Sequence, residues 1–262
     1  MKTIILIPAR YASTRYPGKP LVELRGPDGV AKSLIRRSWD AAMAVRGIAG
    51  VYVATDDDRI RAAAEAFGAQ VIMTSDTCEN GTVRCADAVA RAGLQADLVV
   101  NLQGDAPLTP PSFVERLVQA MAEDPQAEVA TPVLRCDAVT LAHFLADRAA
   151  GRVGGTTAVF DRQMRGLYFS KEVIPYTGGA AHDPVPVFHH VGLYAYRPAA
   201  LAAYAGWTAG PLEQLEGLEQ LRFLENGRSV LCVEVEAGNR VFWELNNPVD
   251  VERIEQALAR QA

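Results

Sequence analysis

Nearly pure apolar runs alternate with helix-spaced segments through the first half of the chain, and this alternation leaves few folds open. TIILIPA precedes SLIRRSWDAAMAVRG, GVYVATDD precedes DRIRAAAEAFGA, QVIMT precedes TVRCADAVARAG, and DLVVNLQGD precedes PSFVERLVQAMAED. The apolar runs have strand length and lack the polar alternation of a half-exposed strand. Both of their faces are therefore buried, as in a parallel sheet covered by helices on each side. Asp56 to Asp58 open one helix at the end where its dipole favours acids, and Pro111 stands in the first turn of another. Regular β-α-β-α order predicts an open, doubly wound, mostly parallel α/β sheet of the Rossmann-like kind.

Such sheets bind ligands beyond the carboxyl ends of their strands. The loops that matter are then Pro8–Pro20, Thr55–Asp58, Thr74–Gly81 and Gln103–Pro107. After about Asp137 the rhythm changes. TTAVFD and GLYFS read as a hairpin, IPYTGGAAHDPVPV as a Pro- and Gly-rich loop, and FHHVGLYAYR as one long strand. Residues from about 150 to 200 are expected to form a small inserted β lobe within a single domain spanning 1–262. PLEQLEGLEQLRFLENG then reads as a helix, SVLCVEVE as a strand and PVDVERIEQALARQ as a last helix.

The first loop carries Arg10, Arg15 and Lys19 before the first acid of the chain, Glu23, although the chain as a whole has a net charge of -5. That balance argues against nucleic acid or a membrane surface as partner, since both favour a basic face. It leaves room for a local anion site. Arginine offers a planar fork to phosphate oxygens and lysine a point charge, so cations spaced five and four apart on a strand-end loop suit a polyanion. Cys78, Cys85, Cys136 and Cys232 show no metal-ligand spacing and read as reduced thiols of a cytoplasmic protein. No apolar stretch reaches the length of a membrane span.

Taken together, ARYASTRYPGKPL, VATDD, NGTVR, VNLQGDAP, GLYFSK, HHVGLYAYR and PLEQLEGLEQLRFLENG resemble the cytidylyltransferases that activate sugar acids, above all the 3-deoxy-manno-octulosonate (Kdo) enzymes. The resemblance implies metal-dependent transfer of CMP from CTP to the anomeric hydroxyl of an acidic sugar, with loss of pyrophosphate, in lipopolysaccharide biosynthesis. On matching positions, Ala9, Arg10, Ser13, Arg15 and Lys19 are expected around the triphosphate, and Gly81, Thr82, Arg84 and Gln103 around the nucleoside. Asp105 is expected to ligate Mg²⁺, with Arg10 and Lys19 beside it as catalytic groups. His190, Glu219 and Gln220 would face the acceptor, and Lys171 stands where the family usually has an arginine. The resemblance also implies a homodimer, with the inserted lobe as the expected contact.

Four departures stand out. QGDAP replaces the family's Q-G-D-E-P, and GTVR replaces G-T-E-R. LNNP replaces V-D-T-P, which puts Asn246 where a second metal carboxylate belongs, with Glu244 as the acid that compensates. GGTTAVFD also lacks the N-A-V-K character usual before the hairpin. Alternatives therefore stay open beside Kdo: an amino-substituted Kdo, another ulosonic acid, a phosphonate, or a silent nucleotide-binding protein. Glu213 and Glu216 are expected on a solvated helix face, and His189 should point away from His190.

Overall fold

A computed structural model describes residues 1–12, 16–105, 107–153, 155–179, 182–236, 238, 245, 248 and 250–259. The elements follow in the order β1 (Thr3–Ala9), β2 (Glu23–Arg25), β3 (Ala31–Ser33), α1 (Leu34–Met43), β4 (Gly50–Thr55), α2 (Asp58–Ala66), β5 (Gln70–Met73), α3 (Gly81–Ala92), β6 (Leu98–Leu102) and α4 (Pro111–Glu123). The second half adds β7 (Val129–Arg135), α5 (Ala138–Ala149), β8 (Thr156–Phe160), β9 (Gly166–Ser170), β10 (Phe188–His190), β11 (Leu193–Tyr196), α6 (Pro198–Ala205), α7 (Pro211–Glu216), α8 (Leu221–Glu225), β12 (Val230–Val235) and α9 (Asp250–Ala259).

The doubly wound sheet is present. β5-β4-β1-β6 run parallel, and β11-β7-β10-β8-β9 continue the sheet with antiparallel pairs. β12 lies parallel to β7. Burial on both faces explains the continuous apolar runs. In β1, Ile5 and Ile7 pack with α1, α2 and α4 residues such as Ile35, Ile60 and Phe113, whereas Ile4 and Leu6 pack on the other face with Cys85 of α3 and Leu201 of α6.

Two expectations change in the second half. FHHVGLYAYR is not one strand: it breaks at Val191–Gly192 into β10, which pairs with β7 and β8, and β11, which pairs with β6 and β7. Changing neighbours midway lets the segment stitch the β8–β9 hairpin onto the parallel half. The strands between 150 and 200 thereby hydrogen-bond into the main sheet, and the small separate sheet is the β2–β3 hairpin. PLEQLEGLEQLRFLENG is likewise two helices, α7 and α8, because Gly217 ends α7 in the left-handed region at φ +60°.

Candidate active site

A cleft of about 1670 Å³ opens beyond the carboxyl ends of β1 and β6 and extends past β7, β10 and β12. It exceeds the roughly 300–1,000 Å³ of a site for one small molecule, so two substrates fit side by side. At one corner, β1 delivers Ala9 and Arg10, and a single 3₁₀ turn, Lys19–Leu21, delivers Lys19. The loop between closes on itself through Gly18 N–H donating to the Tyr11 carbonyl at 2.9 Å. The Arg59 guanidinium lies 3.3 Å from the Tyr11 ring centroid and pins the loop from α2. Ser13 and Arg15 lie outside the described residues.

Lys19 Nζ donates to Asp105 Oδ2 at 2.8 Å. Asp105 follows β6 through Gly104, and that glycine is required: a Cβ there would stand 2.9 Å from the backbone oxygen of Pro8. The ends of β1 and β6 can approach this closely only without a side chain. Arg10 is exposed and forms no ion pair among the described residues.

The neighbouring wall is the start of α3. Asn80 caps the helix by accepting from Val83 N–H at 2.9 Å, which fixes Gly81 and Thr82 at the cleft. Glu219 is bound at both oxygens: Oε2 accepts from Thr82 N–H at 3.0 Å and Oε1 from Gln103 Nε2 at 2.9 Å. Burial raises its pKa, the Thr82 donors pull it back, and Glu213 and Asp105 push it up again. Glu219, which the resemblance has facing the acceptor, is thus bonded to two residues expected around the nucleoside, Thr82 and Gln103. Arg84, expected in the nucleotide pocket, borders the cleft and is buried, with its guanidinium held by side chains on other segments. Nη1 donates to Thr74 Oγ1 at 2.6 Å and pairs with Asp56 Oδ1 at 3.1 Å. Asp56 is accordingly an ion-pair partner rather than a helix cap. Asp57 caps α2, accepting from Arg59 N–H and Ile60 N–H.

On the far side, His190 and Gln220 are buried in the cleft floor. Thr131 Oγ1 donates to the Leu193 carbonyl at 2.9 Å, so it accepts from His190 Nε2–H at 3.0 Å. The Nδ1 atom is then the acceptor, with Thr156 Oγ1 at 3.1 Å and Gln220 Nε2 at 3.4 Å. Tyr194 OH donates to Gln220 Oε1 at 3.0 Å. Burial holds His190 neutral, with its pKa pushed down to about 3. His189 faces the other way, edge-on to Phe144, as strand alternation requires. Lys171 borders the cleft with no carboxylate in ion-pair distance of its Nζ among the described residues. Its backbone N–H is held by Glu216 Oε2 at 2.8 Å, and Ser170 Oγ donates to Glu216 Oε1 at 2.6 Å. Gly217 makes room for this lysine, because a Cβ there would lie 3.0 Å from Nζ. Glu216 therefore ties α7 to β9. Glu213 is buried and paired to Arg222, so neither acid belongs to a solvated face.

Residues 4–230 match the family model described as cytidylyltransferase. The chain belongs to the cytidylyltransferase family. Among its relatives in this family, the 3-deoxy-manno-octulosonate cytidylyltransferase of Maricaulis maris (strain MCS10) is 41% identical over 261 residues, covering 100% of this chain and 98% of the relative. The 8-amino-3,8-dideoxy-manno-octulosonate cytidylyltransferase of Shewanella sp. (strain W3-18-1) is 40% identical over 262 residues, covering 99% of each. A solved cytidylyltransferase structure, that of CMP:2-keto-3-deoxy-manno-octonic acid synthetase complexed with CTP, superposes with a TM-score of 0.85 at 36% identity and full coverage of both chains.

Sequence reasoning missed the supports of this cytidylyltransferase site. Asn80, one residue before a helix-spaced run, carried a readable capping signal. Arg222 did not, because its partners Glu79 and Glu213 lie on other segments.

Proposed function

We propose that the chain transfers CMP from CTP to 3-deoxy-manno-octulosonate or a close relative such as its 8-amino analogue, releasing pyrophosphate. The observation that carries this reading is the corner where Lys19 pairs with Asp105 beyond the ends of β1 and β6, in a cleft that Arg10 also lines. Two cations and one carboxylate at the carboxyl edge of parallel strands suit a triphosphate. The full-length similarity to enzymes named for these two acids supports the choice of acceptor.

In this reading the anomeric oxygen of the acceptor attacks the α-phosphorus. The bond from that phosphorus to the α,β-bridging oxygen breaks, pyrophosphate departs on that oxygen with the electron pair, and the hydroxyl proton is released to solvent. Such transfers depend on alignment and charge neutralisation more than on covalent help. Arg10 and Lys19 offset charge as it grows on the departing pyrophosphate. Gln103, fixed by Glu219, and the α3 N-terminus orient the nucleoside. Lys171 draws the acceptor carboxylate, while His190 and Gln220 shape the floor as neutral, mutually bonded groups.

The donor set suits Mg²⁺. Asp105 presents a carboxylate at the triphosphate corner, and this ion takes one or two carboxylates with phosphate oxygens and water. Asn246, which with Glu244 lies outside the described residues, is proposed from the sequence pattern as the second oxygen ligand. When bound, the ion would neutralise triphosphate charge and lower the pKa of the acceptor hydroxyl. A homodimer formed through the 150–200 segment, where Leu167 is exposed on the edge strand β9, and a cytoplasmic location belong to the same proposal. No helix among the described residues is long and apolar enough to cross a membrane.

A pyrophosphate-release assay with CTP, Mg²⁺ and a panel of acids tests the reading. Release with Kdo or its 8-amino analogue supports it, and release only with a phosphonate or an unrelated acid overturns it.

A further inference from the structure

Beneath the start of α3 lies a buried polar hub centred on Arg222, Glu213 and Tyr204, three residues outside the cleft lining. Arg222 is 1% exposed, and its guanidinium grips Glu213 with both arms, Nε to Oε2 at 2.6 Å and Nη2 to Oε1 at 2.7 Å. Nη2 also donates to Glu79 Oε1 at 2.6 Å, and Nη1 donates to the Trp207 carbonyl at 3.1 Å. The guanidinium lies 4.4 Å from the Tyr204 ring centroid. Tyr204 OH donates to the Glu219 carbonyl at 3.1 Å and accepts from Asn80 Nδ2 at 2.9 Å.

Two acids converge on one cation in the interior, and the cation reaches past its buried partner Glu213 to the half-exposed Glu79. Glu79 and Asn80 are the two residues that lead into Gly81 and Thr82. Through Tyr204 the same hub fixes the backbone of Glu219, whose side chain holds Gln103. A charge-assisted contact is about twice as strong as a neutral one, so Arg222 is a firm anchor for a loop that otherwise faces open cleft.

We propose that Arg222 is a positioning residue for the nucleoside wall. By clamping Glu79 and, with Tyr204, Asn80 and Glu219, it sets where CTP is held. The role in CTP binding rests on the proposed function; the role in ordering residues 79–84 does not.

Two variants reach the hub from opposite ends. Glu79→Ala removes the loop end and leaves the Arg222–Glu213 pair intact. The double variant Arg222→Met/Glu213→Leu replaces the buried pair by apolar groups of similar size, an exchange that folds tolerate. Glu79→Gln keeps an acceptor oxygen as the conservative control. Amide hydrogen exchange over 79–84 in the free protein should quicken in Glu79→Ala and in the double variant. KM for CTP should rise about threefold to tenfold in both, the loss of one charge-assisted contact, with KM for the acceptor and the melting temperature of Glu79→Ala unchanged. Glu79→Gln should stay within about twofold of wild type. Unchanged exchange in both variants overturns the proposal. So does a rise in KM confined to Glu79→Ala, which would make Glu79 a direct nucleotide contact. If the wild type turns over no CTP, quickened exchange in both variants still upholds the ordering role, and the failure falls on the proposed function alone.

Discussion

Lys19 Nζ and Asp105 Oδ2 stand 2.8 Å apart although 86 positions separate them in the chain. The pair joins the first loop to the end of β6 at the corner assigned to the triphosphate. Both side chains keep some exposure, 15% for Lys19 and 28% for Asp105, so the pair contributes only about 0–1 kcal/mol to stability. Its proposed value lies in catalysis. Lys19→Ala should lower turnover by about 10²–10³, the usual loss for one group that stabilises charge in the transition state, without shifting the melting temperature. Unchanged steady-state kinetics would remove Lys19 from the mechanism.

Gly104→Ala should act through the backbone. The added Cβ would meet the Pro8 carbonyl oxygen at 2.9 Å, and neither strand end can yield cheaply. Overpacking of this kind costs about 1–3 kcal/mol. Thermal unfolding should show a fall of about 3–10 °C, and kcat should drop because Arg10 and Asp105 ride on the displaced ends.

The nucleoside wall should select CTP over ATP and GTP. Gln103 is held by Glu219, and Thr82 N–H is already bonded to the same carboxylate, which leaves a fixed polar edge rather than an adaptable one. A pocket shaped for one small ring should prefer CTP by more than about tenfold in kcat/KM. Parallel assays with the three triphosphates measure this, and equal use of purines would contradict the assigned wall.

His190 should make the protein acid-sensitive. An unfolded histidine titrates near 6.5, whereas the folded one is pushed down to about 3 by burial and by His189. Below pH 6.5 the unfolded chain takes up a proton that the folded chain refuses. The stability held by neutral His190 is thus complete above about pH 6.5 and declines as pH falls toward 3, by about 1.4 kcal/mol per pH unit. Urea midpoints between pH 7 and 4 should fall less steeply for His190→Asn than for wild type.

Much of this was legible in the sequence where the signal is local. Strand runs such as TIILIPA announce burial on both faces, and Lys19 and Asp105 sit on strand-end loops where the doubly wound order brings ligands. What escaped depends on partners far apart in the chain. Asp56 read as part of a helix start because two acids follow it, yet Arg84, from another helix, claims it. Glu213 and Glu216 looked like a wet helix face, since nothing in PLEQLEG reveals that Arg222 and Ser170 wait for them. Gly217 was the missed local clue: a glycine inside a helix-spaced run ended α7 and turned Glu219 toward Thr82.

The most direct test of the central claim is to follow phosphorus by ³¹P NMR during incubation with CTP, Mg²⁺ and Kdo or its 8-amino analogue. The account predicts loss of the three CTP signals and matching growth of one phosphodiester signal, from CMP joined to the sugar acid, and of pyrophosphate. Appearance of CDP with inorganic phosphate, or CTP left intact in the presence of every acid tried, would contradict it.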